Sequence, residues 1–414
     1  MLSQSCIGTK SDRPPLLYLV HRVPYPPDKG DRIRAFHLLK FLSQHSSLHL
    51  ACLADEPVPD EVVSTLRGYC QQLAIVRLPK ILRWVRAFGS FASGRTVTEG
   101  AFSSPALRKI VCAWAREKPF QVVLASASSM VPYLQLPEVR RIPAVIDIVD
   151  VDSQKWFDYA GITRGPRAWL YKTEGQRLRT LERGLTNWAR AVTLVTEAEA
   201  AIYRQVCPCG PIHAVTNGVD LDYFRPAPLA SEASCVFTGA LDYRPNVEGA
   251  VWFCNEVWGE IRRRWPEAKF YLVGRRPAPA VRRLAELPGV DLVGQVLDVR
   301  PHIARAGVAI VPLHVARGVQ NKVLEALAMA KATIVSPQAL AGLRASPDND
   351  LIVARSTNEW IDGIESLWRD ASLRQRLGLA GRRYVEENHD WNRCLAPFGP
   401  LLGLASTSQI EAGR

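Results

Sequence analysis

The residues best placed to do chemistry lie between Ala316 and Ala332, ARGVQNKVLEALAMAKA. A glycine-containing polar turn, Arg317-Gly318-Val319-Gln320-Asn321, runs directly into the apolar-periodic Val323-Leu324-Glu325-Ala326-Leu327-Ala328-Met329. The apolar run Val308-Ala309-Ile310-Val311 precedes it, so the order is strand, glycine turn, helix. A helix begun in this way offers unpaired backbone N–H groups and the positive end of its dipole to an anion. Lys322 adds a point charge on the first turn. Glu325, one turn further on, can accept hydrogen bonds from a diol such as a ribose. Phosphate on Lys322 and the N–H groups of Val319, Gln320 and Asn321, with a diol on Glu325, is the outline of a nucleotide diphosphate site. A capped surface helix with solvated Glu and Lys would read the same way, and this segment alone does not separate the two.

Such a helix must be positioned by a sheet. Short apolar runs recur along the first half: Leu16–Val20, Leu48–Leu53, Ala74–Leu78, Val122–Leu124, Ala144–Ile148 and Ala191–Val195. Helical patterns separate them, the first over Ile33–Ser43 with Ile33, Phe36, Leu39 and Phe41 as inward positions. This alternation predicts a parallel sheet covered on both faces. The pattern restarts with strands at Cys235–Gly239, Lys269–Gly274, Val290–Gly294, Val308–Pro312 and Thr333–Val335, and with a helix over Val247–Arg264. Three of these strands end in glycine (Gly239, Gly274, Gly294), which suits loops that bring backbone close to a ligand at the carboxyl edge of a sheet. The expected architecture is α/β, with two Rossmann-like domains facing across a cleft and joined near Cys207–Ile212. The expected boundaries are a disordered leader at 1–14, an N-terminal domain at 15–208 and a C-terminal domain at 209–385. A crossover helix at 386–405, returning to the first domain, and a tail at 406–414 follow.

Composition narrows the class. The chain has 414 residues, 47% hydrophobic and 22% charged, in the range of an ordinary globular protein. No run of 18 or more apolar residues is present, and the first 15 residues lack an apolar core of signal-peptide length. The expected location is therefore cytoplasmic. The nine cysteines are scattered without a CxxC pair, so they read as reduced, mostly buried residues, with no metal site. The net charge is +12, and residues 1–225 hold 29 Lys+Arg against 20 Asp+Glu, so +9 of it lies there. That half is expected to meet something anionic. No nucleic-acid-binding module is recognisable, which argues against nucleic acid as the partner.

At this point the chain resembles a family. It is similar to retaining glycosyltransferases of the two-Rossmann (GT-B) fold, of the family-4 type, over roughly residues 15–400. The resemblance rests on Thr216-Asn217-Gly218-Val219-Asp220-Leu221-Asp222-Tyr223-Phe224, Phe237-Thr238-Gly239, Val273-Gly274 and the Gly318–Glu325 segment. Asp242-Tyr243-Arg244-Pro245-Asn246-Val247, the stretch from Asp147 to Trp156 and Arg317–Glu325 resemble bacterial sugar transferases associated with exopolysaccharide and exosortase (PEP-CTERM) gene clusters. The resemblance implies a nucleotide sugar, UDP- or GDP-linked, bound by the C-terminal domain and no other cofactor. It implies a glycan or polyprenyl-linked acceptor, retention of configuration and no metal. It assigns donor binding to Gly239, Arg244, Gly274, Arg275, Gly318, Val319, Gln320, Asn321, Lys322 and Glu325. One departure stands out. The wider family has a second Glu eight positions before the ribose-binding one, and this chain has Arg317 there. Gly318, Lys322 and Glu325 match instead the Gly-x-x-x-Lys-x-x-Glu arrangement of many two-Rossmann transferases.

In the first half, the loop Pro26-Pro27-Asp28-Lys29-Gly30-Asp31-Arg32 is expected to face the cleft. Gly30 would let backbone approach a sugar diphosphate, and Asp31 would either contact substrate or cap the first helix. Asp150 and Asp152 match a DxD pattern that binds metal in another glycosyltransferase fold class. In this fold they are read instead as facing the acceptor or the sugar. Gly30, Asp31, Asp150, Asp152 and Arg317 form the candidate catalytic set. Residues 80–95, KILRWVRAFGSFASGR, mix Lys80, Arg83 and Arg86 with Trp84, Phe88 and Phe91. This segment is either a helix lying on the inner-membrane surface or one packed on the N-terminal sheet. Two alternatives to a transferase remain: a nucleotide-binding scaffold of the same fold without turnover, and a nucleotide-sugar epimerase.

Overall fold

The structure is a computed structural model that describes residues 13–226 and 232–404. Most of the leader expected at 1–14, and the tail at 406–414, lie outside the described residues. The chain divides into two compact units, one of residues 1–215 with 395–414 and one of residues 216–394.

The first unit holds seven parallel strands: β1 (Pro15–Val20), β2 (Ser47–Ala54), β3 (Gln72–Arg77), β4 (Val122–Ser126), β5 (Ala144–Val149), β6 (Ala191–Leu194) and β7 (Ile212–Ala214). Their order is β3-β2-β1-β4-β5-β6-β7. Every residue of β2 and β4 is buried, as expected of strands covered on both faces. The second unit holds six: β8 (Glu232–Thr238), β9 (Lys269–Val273), β10 (Val290–Gly294), β11 (Ala306–Val311), β12 (Thr333–Val335) and β13 (Ile352–Val353), ordered β10-β9-β8-β11-β12-β13. The pairings are parallel throughout. Both sheets reverse direction of growth once, between β1 and β4 and between β8 and β11. Ligands of open α/β sheets bind outside the carboxyl ends of strands at such a switch point.

Several local expectations need correction. The first helix runs over Gly30–His45 and is buried nearly all round, with Ala35, Leu38 and Leu42 as deep as Leu39, while Ile33 is only half-buried. A helix enclosed on all sides carries no single apolar face to read. The segment Val247–Arg264 is not one α-helix: Arg244–Phe253 and Gly259–Arg264 are joined by a π turn at Cys254–Trp258. The division between units falls after Val215, beyond the expected 208/209, because β7 pairs with β6 and completes the first sheet. In place of one crossover helix at 386–405, the helix Ala371–Asn388 ends in the second unit, and two short helices, Trp391–Leu395 and Phe398–Leu402, follow. β7 and β13, three and two residues long, are too short to leave a periodic signature.

Candidate functional site

In the second unit the elements flanking the switch point carry the residues from which the sequence outlines an anion site. The helix Asn321–Ala328 is anchored by Val323, Leu324 and Leu327, all fully buried, each contributing about 1.5–3 kcal/mol by burial. That anchoring leaves Lys322 and Glu325, three apart, half-buried on one face. The helix starts without a side-chain cap at Gln320, so its first N–H groups keep their capacity for an anion. Gly318 sits at φ 60° in the turn before it, and a Cβ on Gly342 would come within 2.0 Å of the Gly318 carbonyl oxygen. Only glycine at both places lets the turn close this tightly.

Lys322 is held in place. Its Nζ donates to Asn246 Oδ1 at 2.5 Å and lies 4.9 Å from the centre of the Phe237 ring. Asn246 is buried and donates from Nδ2 to the Ala240 carbonyl at 2.8 Å, tying the Lys322 contact to the loop after β8. Burial pushes Lys322 down to about 8, with Glu325 acting in the opposite direction. Burial likewise pushes Glu325 up to about 7, against the pull of Lys322. Both groups bear a desolvation cost, and such shifted groups beside a strand switch point are candidates for a functional site.

The glycines expected to line this site are explained by close approach. A Cβ on Gly239, whose φ is 148°, would lie 2.9 Å from Asn246 Nδ2 and 3.3 Å from Lys322 Cε. A Cβ on Gly274 would lie 1.7 Å from the Gly239 carbonyl oxygen. Gly239→Ala should therefore displace Asn246 and Lys322 together. The expected result is at least a tenfold loss of nucleotide affinity by titration calorimetry, with a fold destabilised by about 1–3 kcal/mol in urea unfolding.

Arg244 opens the helix Arg244–Phe253, and its Nε donates to Glu248 Oε1 at 2.6 Å on the surface. Arg275 follows β9 and accepts at its carbonyl from Leu241 N at 3.0 Å, which aligns the loops after β8 and β9. Arg317 accepts at its carbonyl from Gln320 Nε2 at 2.9 Å, so its backbone shapes the turn. The segment from Thr216 is clamped to the chain near His389. Val219 N donates to the His389 carbonyl at 2.8 Å, and His389 Nδ1 lies 2.8 Å from the Asn217 carbonyl. Tyr384 Oη meets His389 Nε2 at 2.9 Å. A Cβ on Gly218 would fall 2.8 Å from both the His389 carbonyl oxygen and Trp391 N. Asn217 Nδ2 reaches Asn321 Oδ1 at 3.4 Å, linking this clamp to the start of the helix Asn321–Ala328. Phe237 and Asn246 stand in segments singled out in the sequence but given no role there, and His389 was not singled out; their partners' positions in the fold bring them together here.

In the first unit, the loops after β1, β4 and β5 again surround a switch point. Lys29 precedes the helix Gly30–His45 without a side-chain cap, and Asp31 does not cap it. Asp31 Oδ2 instead accepts from Arg22 Nη1 at 3.0 Å and lies 3.4 Å from His21 Nε2. Burial acts to raise the Asp31 carboxyl, but His21 and Arg22 outweigh it and hold the group below the usual carboxylate range. Asp31 is thus a fixed anion, ill suited to accept a proton. Gly30 is the helix's first residue and does not adopt a positive φ. Arg32 pairs with Asp28 at 3.2 Å and Glu56 at 3.6 Å.

Asp150 and Asp152 sit on a strained turn. Val149, β-branched, has φ 67°, and Ala127, after the neighbouring strand β4, has φ 78°. Such conformations persist only where surrounding contacts impose them, and they concentrate at functional sites. Here Ser128 Oγ donates to Asp152 Oδ2 at 2.5 Å, Val151 N to Glu199 Oε2 at 2.8 Å and Ser153 N to Glu182 Oε1 at 2.9 Å. Burial pushes Glu182 up to about 7, opposed by its bonds from Ser153. Among the described residues no group of three or more His, Cys, Asp and Glu is arranged to hold a metal.

Comparison with known proteins places this geometry. The whole chain aligns with the sucrose-phosphate synthase of Thermosynechococcus elongatus at TM-score 0.69 and 17% identity, covering 97% of this chain and 100% of that one. Anabaena HepE, solved in complex with UDP and glucose, aligns at TM-score 0.68 and 12% identity over 94% of this chain and 99% of that one. A Rickettsia africae glycosyltransferase aligns at TM-score 0.63 and 11% identity over 94% and 98%. The two sheets and these alignments define the GT-B fold. Residues 232–370 match the family model described as "Glycosyl transferases group 1", so the second unit carries a domain of that type, with Asn246, Lys322 and Glu325 inside the matched segment. No curated protein matches the chain.

Proposed function

We propose that the protein is a glycosyltransferase that moves a sugar from a nucleotide diphosphate sugar to a glycan or polyprenyl-linked acceptor. The observation that carries this reading is Lys322, fixed by Asn246 and Phe237 at an uncapped helix N-terminus, with Glu325 one turn on. The diphosphate would lie on the helix N–H groups and Lys322, and Glu325 would accept from the ribose hydroxyls. As the bond from the anomeric carbon to the phosphate oxygen breaks, negative charge grows on the leaving diphosphate, where the dipole and Lys322 stabilise it. The acceptor hydroxyl attacks the anomeric carbon from the face the phosphate leaves, and its proton passes to the departing phosphate oxygen. This route leads to retention of configuration without a metal. It needs no side-chain base, in keeping with an Asp31 held firmly ionised. A uridine nucleotide is the first donor to try, since HepE is a structural neighbour solved with UDP-glucose. We assign the reaction to the cytoplasm and to bacterial exopolysaccharide assembly on the strength of the resemblance in the Asp147–Trp156 and Arg317–Glu325 segments.

Arg317, standing where the wider family has a carboxylate, favours one competing reading: a protein that binds nucleotide without transferring sugar. Calorimetry with UDP, GDP, ADP and their sugar conjugates tests the site. One nucleotide is expected to bind, and Glu325→Ala to weaken it by about 1–3 kcal/mol, the value of a lost charged hydrogen-bonding partner. Equal affinity in wild type and variant would remove the donor site from this helix. Binding without donor hydrolysis or transfer to any acceptor would establish the non-catalytic reading.

A further inference from the structure

The helix Lys80–Ala92 is turned the opposite way from an ordinary amphipathic helix. Ile81, Trp84, Val85 and Phe88, spaced i, i+3, i+4, i+7 along one stripe, are 82%, 70%, 61% and 75% exposed. The face that packs on the protein is the polar and small one. Ala87 is buried, Arg86 Nη1 donates to the Ser103 carbonyl at 2.7 Å and Ser90 Oγ to the Thr96 carbonyl at 2.8 Å. Arg83 lies over the Phe102 ring at 4.9 Å. Contact with the following helix, Val97–Ala101, is so close that a Cβ on Gly100 would lie 2.4 Å from the Arg86 carbonyl oxygen. The helix is thus fastened by its cationic side, and its apolar stripe is left to water. Of the two packings expected from the sequence, the one against the N-terminal sheet is not adopted.

A second segment extends the same surface. Ile162 and Trp169 are exposed, the latter at the start of the helix Pro166–Leu185. Trp169 meets Phe91 edge-on, with ring centres 5.9 Å apart. Arg177 Nη1 donates to the Phe91 and Arg95 carbonyls, each at 2.7 Å. The buried Glu174 accepts from Val97 N at 2.7 Å and Thr98 N at 3.0 Å, which locks the two segments together. Of the thirteen large hydrophobic residues exposed among the described residues, seven belong to these two segments. Residues 77–98 and 159–173 contain eight Lys and Arg and no Asp or Glu. Arg77, Lys80, Arg95, Arg164, Arg167 and Lys172 are exposed among the aromatics.

We infer that this two-segment face docks the protein on an anionic lipid bilayer. Tryptophan and phenylalanine would enter the headgroup boundary, and the surrounding cations would meet the lipid phosphates. Charge decides the occupant. A second copy of the chain would set this predominantly basic face against itself across a two-fold axis, whereas a bilayer carrying acidic lipids complements it. No helix among the described residues is long and apolar enough to cross a membrane, so the contact is with the surface. The inference stands independently of the donor site in the second unit.

Flotation of the full-length chain with vesicles tests it. Vesicles of mixed phosphatidylglycerol and phosphatidylcholine should carry the protein, and phosphatidylcholine alone should carry far less. Binding should fall as salt is raised. The paired substitution Trp84→Ser with Phe88→Ser should weaken binding at least tenfold, as should Trp169→Ser combined with Arg167→Gln. All these positions are exposed, so urea unfolding and nucleotide affinity should match wild type and exclude a folding defect. Failure to bind acidic vesicles, or binding indifferent to both pairs, would overturn the proposal. So would a concentration-dependent dimer in light scattering that Trp84→Ser abolishes, because a second copy would then cover the face.

Discussion

Lys322→Met is expected to lower kcat/KM for sugar transfer by about 10²–10³, the effect of removing one charged donor that faces developing negative charge. Methionine keeps the length and packing of the stem and removes the charge. Asn246 then loses the donor at 2.5 Å, and the helix N-terminus must hold the diphosphate alone. The pH dependence identifies the group. Lys322 releases its proton near 8 in the free protein, so nucleotide affinity should fall by about tenfold per pH unit above that point, until the pKa of the bound state is reached. Below about 7, Glu325 takes up a proton and becomes a weaker acceptor for the ribose, so affinity also falls on the acid side. The best binding lies between the two, and the pair titrates as one coupled system. Calorimetry in buffers of different ionisation enthalpy should register proton uptake when nucleotide binds near pH 8.5. In Lys322→Met the alkaline fall and the uptake should both vanish. Retention of either would place the charge elsewhere.

The same shifts bear on stability with a definite sign. The folded chain binds the Lys322 proton less tightly than the unfolded chain does, so this group costs stability below about 8 and the cost fades as pH rises toward the ordinary lysine value. Glu325 binds its proton more tightly when folded, so its cost is absent in acid and complete above about 7. Both costs coincide near neutral pH. Lys322→Met should therefore unfold in urea at a midpoint equal to or above that of wild type while losing activity, separating a functional loss from a folding one.

The proposed donor site can be outlined from the sequence because the residues that would form it are near neighbours. A glycine turn, a lysine and a glutamate fall within eight residues, and the helix that carries them has a clear apolar face in Val323, Leu324 and Leu327. The alternation of strands and helices made both sheets legible for the same reason, since period and turn residues are near-neighbour properties. What the sequence did not show depends on contacts made across the fold. Asn246 stands 76 positions from the lysine it holds, and His389 stands 172 positions from the Asn217 carbonyl it meets. His389 carries no mark in its own neighbourhood, and the motif around Asn246 does not say which side chain it holds. The orientation of Lys80–Ala92 was likewise undetermined, because an apolar stripe specifies burial against something without naming protein or lipid. Asp31 shows the converse: its place in the first turn suggested a cap, and a pair of basic neighbours after β1 took the carboxylate instead.

Arg34→Ala is expected to destabilise the first unit by about 3–5 kcal/mol, the usual cost of breaking a buried ion pair from one side. Arg34 lies on the helix Gly30–His45, 113 positions before Asp147 on β5, and both are almost fully buried. The pairing is bidentate, Nε to Oδ2 and Nη2 to Oδ1 at 2.8 Å each. Thr193 on β6 donates to Asp147 Oδ1 at 2.7 Å, and the Phe398 ring stands 5.9 Å from the guanidinium. One arginine thus joins the helix after β1 to the centre of the sheet and to the C-terminal segment. Truncation leaves the Asp147 carboxylate in a dry site with a single hydroxyl as donor, and it also opens a cavity. The paired change Arg34→Met with Asp147→Leu removes both charges together and should recover most of the loss, leaving a strong positive coupling in the double-mutant cycle. The chain has two compact units, so alongside urea unfolding a probe that resolves them locates the loss. Amide hydrogen exchange is that probe. Protection should drop in β1, β4 and β5 of Arg34→Ala and persist in β8 and β11. Uniform loss across both sheets would mean that the units unfold as one, and unchanged protection in β5 would mean that the pair contributes nothing to the fold. The helix fixed by this pair begins with Gly30 and Asp31, so the ion pair also sets where those two residues stand at the carboxyl edge of the first sheet.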